Sequence, residues 1–147
     1  MEKYSSFVAF DVGTKNIGIA ISHNITNIVH PIGTFKIING NPDWAKIKDF
    51  LNEFKYLKSI IVGFPLNMDG TEQLFTFKVR KFSNQLQNRF NYNIIFHDER
   101  LSTFEAKLFL INSGKSFKKL KKDEIDAQSA AIILESWMYQ QKNKNNI

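Results

Sequence analysis

Hydrophobic and polar positions near the start of the chain follow the pattern of β-strands. Residues 7–12 and 17–22 are short apolar runs rich in strand formers, and the turn-prone segment 13–16 separates them. A third run, residues 33–38, ends at the pair Asn39-Gly40, which is typical of a turn. The pattern predicts three strands in an antiparallel meander.

After Pro42 the hydrophobic period changes from that of strands to that of helices. Pro42 suits the first position of a helix. The apolar residues that recur at helical spacing after it are Trp44, Ile47, Leu51 and Phe54. Residues 59–64 then form a continuous apolar run, as in strands that are buried on both faces. An amphipathic helix followed by a buried strand is therefore expected.

Helices and strands alternate through the rest of the chain. Thr71 can cap a helix, and residues 92–96 predict the fifth strand. The apolar stripe of that helix is Phe75, Val79, Phe82 and Leu86. A capping box at residues 102–105 opens another helix, and a last helix is predicted from about Asp123 to about Tyr139.

These elements together predict an α/β fold. Three meandering strands followed by strands interleaved with helices imply a mixed five-stranded sheet flanked by helices. The chain has 147 residues, 43% of them hydrophobic, which is the usual size and composition of one domain. We expect a single domain over residues 1–141 and a disordered tail over residues 142–147.

Charge and cysteine content narrow the classes of function. The formal charge of +6 favours an anionic partner, above all nucleic acid, although it does not locate the binding surface. The chain has no cysteine, so oxygen or imidazole groups must bind any metal ion. No basic start precedes a long apolar run, and no apolar stretch approaches the ~20 residues that span a bilayer. A cytoplasmic location is expected, with no membrane contact.

Two aspartates are placed where the pattern calls for apolar residues. Asp11 shares one face of the first strand with Phe7 and Ala9, although it could simply begin the following turn. Asp126 lies on the inward stripe of the last helix, although Asp123 and Asp126 are also spaced like a helix cap and its acidic third position.

A third candidate lies in the segment 97–100, directly after the fifth strand. Its carboxylates are Asp98 and Glu99, and the carboxyl ends of such strands usually carry ligand groups. The alternative is a solvated loop in which Glu99 pairs with Arg100. His97 is expected to be a packing residue at the end of the strand.

Taken together, Asp11, Glu99 and Asp126 predict a catalytic metal site. Hard oxygen ligands suit Mg²⁺ or Mn²⁺. Two such ions ~3.5–4 Å apart can cut a phosphodiester, because one activates a water and the other stabilises the leaving oxygen. The hypothesis is that Asp11 bridges the two ions, while Glu99 and Asp126 complete their ligands.

Basic residues near the carboxylates could bind the substrate. Lys15 and Arg100 could contact the scissile phosphate. The cluster that could hold the flanking backbone is Lys118, Lys119, Lys121 and Lys122. Lysine runs on loops are equally compatible with a merely solvated surface.

Four motifs in order resemble one protein family. They are FDVGTKNIGIA at residues 10–20, VGFPLNMDGTE at 62–72, DERLST at 98–103, and Ile125-Asp126 with Ala130-Ala131. The chain resembles the YqgF-type family of Holliday junction resolvase-like proteins, also described as pre-16S rRNA nucleases. One departure is Asn16, where the family commonly has Arg.

The resemblance implies a ribonuclease-H-like fold and a cytoplasmic nuclease that trims the 5′ end of pre-16S ribosomal RNA, as a monomer or weak homodimer. It matches Asp11, Glu99 and Asp126 to the family's presumed site. Three other functions stay open: a resolvase of four-way DNA junctions, a non-catalytic RNA-binding factor of ribosome assembly, and an ATP-hydrolysing module. The short length of the chain speaks against the last.

Overall fold

The computed structural model describes residues 5–23, 28–101 and 121–145. In these ranges the strands are β1 (Ser6–Val12), β2 (Asn16–His23), β3 (Val29–Ile38), β4 (Asn41–Pro42), β5 (Leu57–Phe64) and β6 (Ile94–Asp98). The helices are α1 (Trp44–Asn52), α2 (Leu74–Phe90) and α3 (Lys122–Asn145), and a 3₁₀ turn spans Glu99–Leu101.

One mixed sheet organises these elements, in the order β4-β3-β2-β1-β5-β6. Strands β1 to β4 pair antiparallel, whereas β5 lies parallel to β1 and β6 parallel to β5. The predicted meander and the two later strands are therefore confirmed, with the two-residue β4 as an addition to the predicted five. Because β1, β5 and β6 are parallel, their carboxyl ends lie at the same edge of the sheet.

Each face of the sheet is covered by its own helices. On one face, Val8 and Phe10 of β1 pack with Ile47 of α1 and Phe82 of α2. On the other face, residues of β1 and β5 pack against α3, and the rings of Phe7 and Trp137 lie 5.2 Å apart. Strict alternation along β1 thus sends Phe7, Ala9 and Asp11 toward α3.

The two predicted helix starts each lie two residues too early in the chain. Pro42 lies in β4, and Asp43 is the residue that caps α1, since its Oδ1 accepts a hydrogen bond from the Lys46 amide at 3.2 Å. Thr71 does not cap α2, because its amide and hydroxyl both bond to Asp69 Oδ1. Gln73 caps α2 instead, in a reciprocal pair with Thr76.

The last helix is longer than its sequence pattern predicts. α3 continues beyond Tyr139 to Asn145, into the segment 142–147 for which a disordered tail is expected. No glycine or proline interrupts it there, so nothing in the sequence forces the helix to end. The predicted helix that opens at residues 102–105 lies outside the described residues. No helix of the described ranges is long and apolar enough to cross a membrane.

Candidate active site

Asp11 occupies the end of β1 on the face that α3 covers. It is half-buried and lies opposite Gly18 in the antiparallel pair with β2. A charged group at this position replaces the apolar residue that would otherwise continue the contact with α3. The pleat of β1 therefore directs the Asp11 side chain toward α3, and Gly18 on the neighbouring strand has no side chain to crowd it.

Gly18 brings the first turns of α3 onto the sheet. A Cβ atom at Gly18 would lie 2.0 Å from the carbonyl oxygen of Asp126, which is far inside contact distance. The helix can approach β2 this closely only because the residue is glycine. Asn16 then reaches across, and its Nδ2 donates a hydrogen bond to Asp126 Oδ2 at 3.3 Å.

Glu99 comes to the same end of the sheet from β6. The strand ends at Asp98, and the 3₁₀ turn begins directly with Glu99. A Cβ atom at Gly63 of β5 would lie 2.5 Å from Glu99 Oε1 and 2.6 Å from Ile133 Cδ1. A second glycine thus leaves the space into which the glutamate side chain folds.

The charges of these carboxyl groups are coupled. Burial raises the pKa of Asp11, and the negative charge of Asp126 raises it further, while a hydrogen bond from Glu99 lowers it. Burial, the charge of Asp11 and that same hydrogen bond raise the pKa of Glu99 to about 8. At neutral pH Glu99 is mainly protonated and donates to the Asp11 carboxylate. Interactions therefore connect Asp11 with both Glu99 and Asp126.

The donor set fits a hard divalent cation. Carboxyl oxygens are the ligands that such ions prefer, and a cation would offset both the burial and the mutual repulsion that raise the pKa values of Asp11 and Glu99. In addition, Asn16 Oδ1 is buried without a hydrogen-bond partner on the side chain that holds Asp126. Within the described ranges, however, no three acidic or histidine side chains lie close enough together to form a ready metal cluster. The described structure therefore connects Asp11 with Glu99 and with Asp126 separately, and the predicted convergence of all three on one metal ion stays a prediction.

Arg100 is held by its neighbours rather than directed freely at a substrate. Its Nε and Nη2 donate to the Asp98 carboxylate, at 3.0 Å and 2.6 Å to Oδ2, and its Nη1 donates to the carbonyl of Met68 at 3.2 Å. The pKa of Asp98 is lowered by these bonds. Met68 belongs to the loop 65–71, so the Asp98–Arg100 pair fastens that loop next to Glu99. A contact of Arg100 with a scissile phosphate stays a prediction.

The other predicted substrate residues lie on the surface or outside the described residues. Lys15 is exposed in the turn between β1 and β2, and Lys121 and Lys122 are exposed at the start of α3. Lys118 and Lys119 lie outside the described ranges. His97 is buried, and its Nε2 lies 2.8 Å from Ser136 Oγ of α3, in agreement with a packing role.

Asn16 contacts the candidate site, although the sequence patterns did not single it out. Its side chain is buried at the start of β2 and positions the Asp126 carboxylate. The only sequence signal was indirect, since Asn16 marks a departure from the resembled family in the first motif.

A family model decides the relationship of this chain to known proteins. The model of RuvX, described as Holliday junction resolvase, matches residues 5–140. The chain belongs to the RuvX family. This match covers the strands and helices that carry Asp11, Glu99 and Asp126.

Relatives of this RuvX chain carry nuclease names. A protein of Pectobacterium carotovorum subsp. carotovorum is 50% identical over 135 residues, 92% of this chain and 96% of the relative. A protein of Sodalis glossinidius is 46% identical over 140 residues, 95% of this chain and 98% of the relative. Both are named "Putative pre-16S rRNA nuclease". The family resemblance is confirmed, and with it the enzyme class, a hydrolase of phosphodiester bonds.

A solved structure confirms the fold. RuvC of T. thermophilus, in complex with a Holliday junction substrate, superimposes with a TM-score of 0.59 at 10% sequence identity, over 94% of this chain and 97% of the other. The predicted ribonuclease-H-like fold is correct, with six strands in the described residues instead of five.

Proposed function

We propose that this RuvX protein is a metal-dependent endonuclease that trims the 5′ end of pre-16S ribosomal RNA in the cytoplasm. The observation that carries the proposal is the Asp11 carboxylate at the end of β1, in contact with Glu99 and in the field of Asp126. The names of relatives at about half identity support the choice of RNA substrate.

Asp11, Glu99 and Asp126 would hold one or two Mg²⁺ or Mn²⁺ ions, with Asn16 Oδ1 available beside Asp126. Bound there, the ions would activate a water for in-line attack and stabilise the leaving oxygen. The residues of the chain have separate tasks. Glu99 would lose its proton on binding such an ion, and the hydrogen bond from Asn16 would hold the Asp126 carboxylate in position.

Basic groups near the carboxylates would hold the RNA. Lys15 lies in the turn that follows Asp11, and Lys121 and Lys122 lie one turn before Asp126. We assign them to phosphate contacts that flank the cut, together with the neighbouring Lys118 and Lys119. The protein would act as a monomer or a weak homodimer.

Cleavage assays test this proposal directly. Labelled 16S precursor RNA and a labelled four-way DNA junction are incubated with Mg²⁺, Mn²⁺ or EDTA. We expect metal-dependent cleavage of the RNA that Asp11→Asn abolishes. Asp49→Asn, which removes an exposed carboxylate of α1, is the matched control and should cleave normally.

The second candidate function is resolution of Holliday junctions, which the description of the family model favours. Faster cleavage of the junction than of the precursor RNA would select it. If neither nucleic acid is cut, or if Asp11→Asn cuts as well as the wild type, the carboxylate assignment is wrong and a non-catalytic RNA-binding role becomes the better account.

A further inference from the structure

A basic groove lies on the sheet face opposite the carboxylates. It has a volume of about 400 Å³ and runs between α2 and two turns, the one after β1 and the one after β3. Its walls include Gly13 and Thr14 on one side and the α2 residues Lys78, Lys81 and Arg89 on the other. We propose that this groove is a second nucleic-acid site, which binds the phosphate backbone of single-stranded RNA next to the cut.

The α2 cations form one row along the groove. Lys78, Lys81, Gln85 and Arg89 line it, and residues three, seven and eleven positions apart lie on the same face of a helix. At 1.5 Å per residue the row is about 16 Å long. That length is too great for one phosphate group, so the row can contact successive phosphates of an extended strand. The groove therefore matches an extended polyanion better than a single small anion.

The charge of this surface is unbalanced. α2 contains Lys78, Arg80, Lys81 and Arg89 but no acidic residue. Arg80 points elsewhere, because its Nε pairs with Glu72 at 2.7 Å and its guanidinium lies over Phe64. In the part of the chain that the structure describes, the ion pairs include no carboxylate partner for Lys78, Lys81 or Arg89. These three exposed cations are available to phosphates.

The guanidinium of Arg89 lies over an aromatic ring that helps to orient it. Its guanidinium carbon lies 4.6 Å from the ring centre of Trp44, and that ring is stacked on Phe82 at 5.4 Å. A guanidinium that is already oriented loses less conformational entropy when it binds a phosphate. A lysine could not stack on the Trp44 ring with a planar group, so arginine is the better suited cation at this end of the row.

The groove begins one residue beyond Asp11 along the chain, on the opposite face of the sheet. Val12, Gly13 and Thr14 line it and directly follow Asp11 along the chain. Since Asp11 faces α3 and Val12 faces α2, the end of β1 separates the two sites by a single residue. A strand whose cleaved phosphate lies at Asp11 can bend over this turn and enter the groove. The assignment to RNA rests on the proposed function.

Binding measured without cleavage tests the groove. A fluorescein-labelled single-stranded RNA of about 20 nucleotides is titrated in EDTA at several KCl concentrations. The test variant is Lys78→Gln/Lys81→Gln/Arg89→Gln. The control is Lys55→Gln/Lys142→Gln/Lys144→Gln, which removes the same charge from exposed positions near the other end of the sheet. Equal melting temperatures establish that both variants fold.

We expect the test variant to bind at least about tenfold more weakly near 0.1 M salt. The slope of log Kd against log salt should fall by about 2, or about 0.7 for each lost phosphate contact. The double variant Lys78→Gln/Lys81→Gln leaves the Arg89–Trp44 contact intact, and its slope of log Kd against log salt should fall by about 1.4. The control should keep the wild-type slope.

Two results would overturn the proposal. If the slope of log Kd against log salt falls equally in the test and control variants, RNA binding depends only on the net charge of the protein and not on the groove. If the test substitutions weaken the binding of a duplex RNA as much as that of the single strand, the groove is not a site for single-stranded RNA. The outcome is independent of the nuclease assignment, because wild type that binds through the groove but does not cut contradicts only the proposed function.

Discussion

The proton that Glu99 and Asp11 share is the most consequential feature at the scale of single residues. With a pKa of about 8, Glu99 is mainly neutral at physiological pH and donates to the charged Asp11. The hydrogen bond stabilises two carboxyl groups that would otherwise repel each other. A divalent ion that binds as proposed would displace this proton, so we expect its affinity to rise with pH.

The same proton makes the stability of the metal-free protein depend on pH. In the unfolded chain Glu99 has its ordinary pKa of 4.5, whereas in the folded protein the pKa is about 8. Between these values the folded state keeps a proton that the unfolded state releases, so rising pH favours unfolding. We expect the melting temperature in EDTA to fall between about pH 5 and pH 8 and then to level off.

Glu99→Gln removes this titration and should flatten the pH profile of the melting temperature. Glu53→Gln, at an exposed position, is the control and should reproduce the wild-type profile. A Glu99→Gln profile as steep as that of the wild type would show that Glu99 does not carry the proton.

Arg100 offers a second test at this scale. Lysine cannot reproduce the two-nitrogen contact with Asp98 together with the bond to Met68. The pair is exposed to solvent, so we expect Arg100→Lys to change the free energy of unfolding only slightly. Cleavage should slow by about tenfold or more through kcat, because the loop 65–71 is no longer fixed beside Glu99.

Arg80→Lys is the matched control for Arg100→Lys, since Arg80 is also ion-paired, with Glu72. Its cleavage rate should stay near that of the wild type. If Arg100→Lys cleaves at the wild-type rate, the position of the loop 65–71 does not affect cleavage.

At the scale of elements, the close packing of α3 on β2 determines the position of Asp126. Gly18→Ala would place a methyl group 2.0 Å from the Asp126 carbonyl oxygen, so the helix must shift. We expect a loss of about 1–3 kcal/mol or more in the free energy of unfolding, measured with denaturant, and a loss of cleavage.

Thr34→Ala changes the β3 residue that pairs with Gly18 and serves as the control. It adds no atom beneath α3, so cleavage should persist. Full activity of Gly18→Ala would mean that the exact seating of α3 is unimportant.

The elements also explain how far the sequence could predict the site. Strand alternation correctly set Asp11 on the α3 face, and helical periodicity correctly set Asp126 on the inward stripe with Ala130 and Ile133. Gly18 and Gly63 leave space for atoms of α3 and of Glu99, which are distant in the sequence. A local sequence pattern cannot reveal such contacts. The starts of α1 and α2 were misplaced because Pro42 and Thr71 have competing local roles, in a short strand and in a turn.

The row of cations on α2 was missed for a different reason. Spaced cations on the outer face of a helix look the same in sequence whether they are merely solvated or border a groove. Only the turns after β1 and β3, which form the opposite wall, distinguish the two cases.

At the scale of the whole molecule, a divalent ion would bind the native state alone, since the carboxylates come from β1, α3 and the turn after β6. We expect Mg²⁺ to raise the melting temperature, by the equivalent of about 2.7 kcal/mol at a concentration 100 times its Kd. The rise should be larger at pH 8 than at pH 6, because Glu99 is then more often deprotonated.

The Mg²⁺ effect should be strongly reduced in Asp11→Asn and unchanged in Asp49→Asn, as measured by thermal denaturation. If Mg²⁺ stabilises Asp11→Asn as much as the wild type, the ion binds elsewhere.

The bond between Asn16 and Asp126 joins positions 110 residues apart in the sequence. Contacts of such separation close large loops, which lowers the conformational entropy of the chain. A partly folded intermediate that already has the β1–β2 hairpin would still lack the α3 carboxylate. The candidate site is therefore complete only when the domain has closed, and a chain that is partly folded in this way would lack one of its carboxylates.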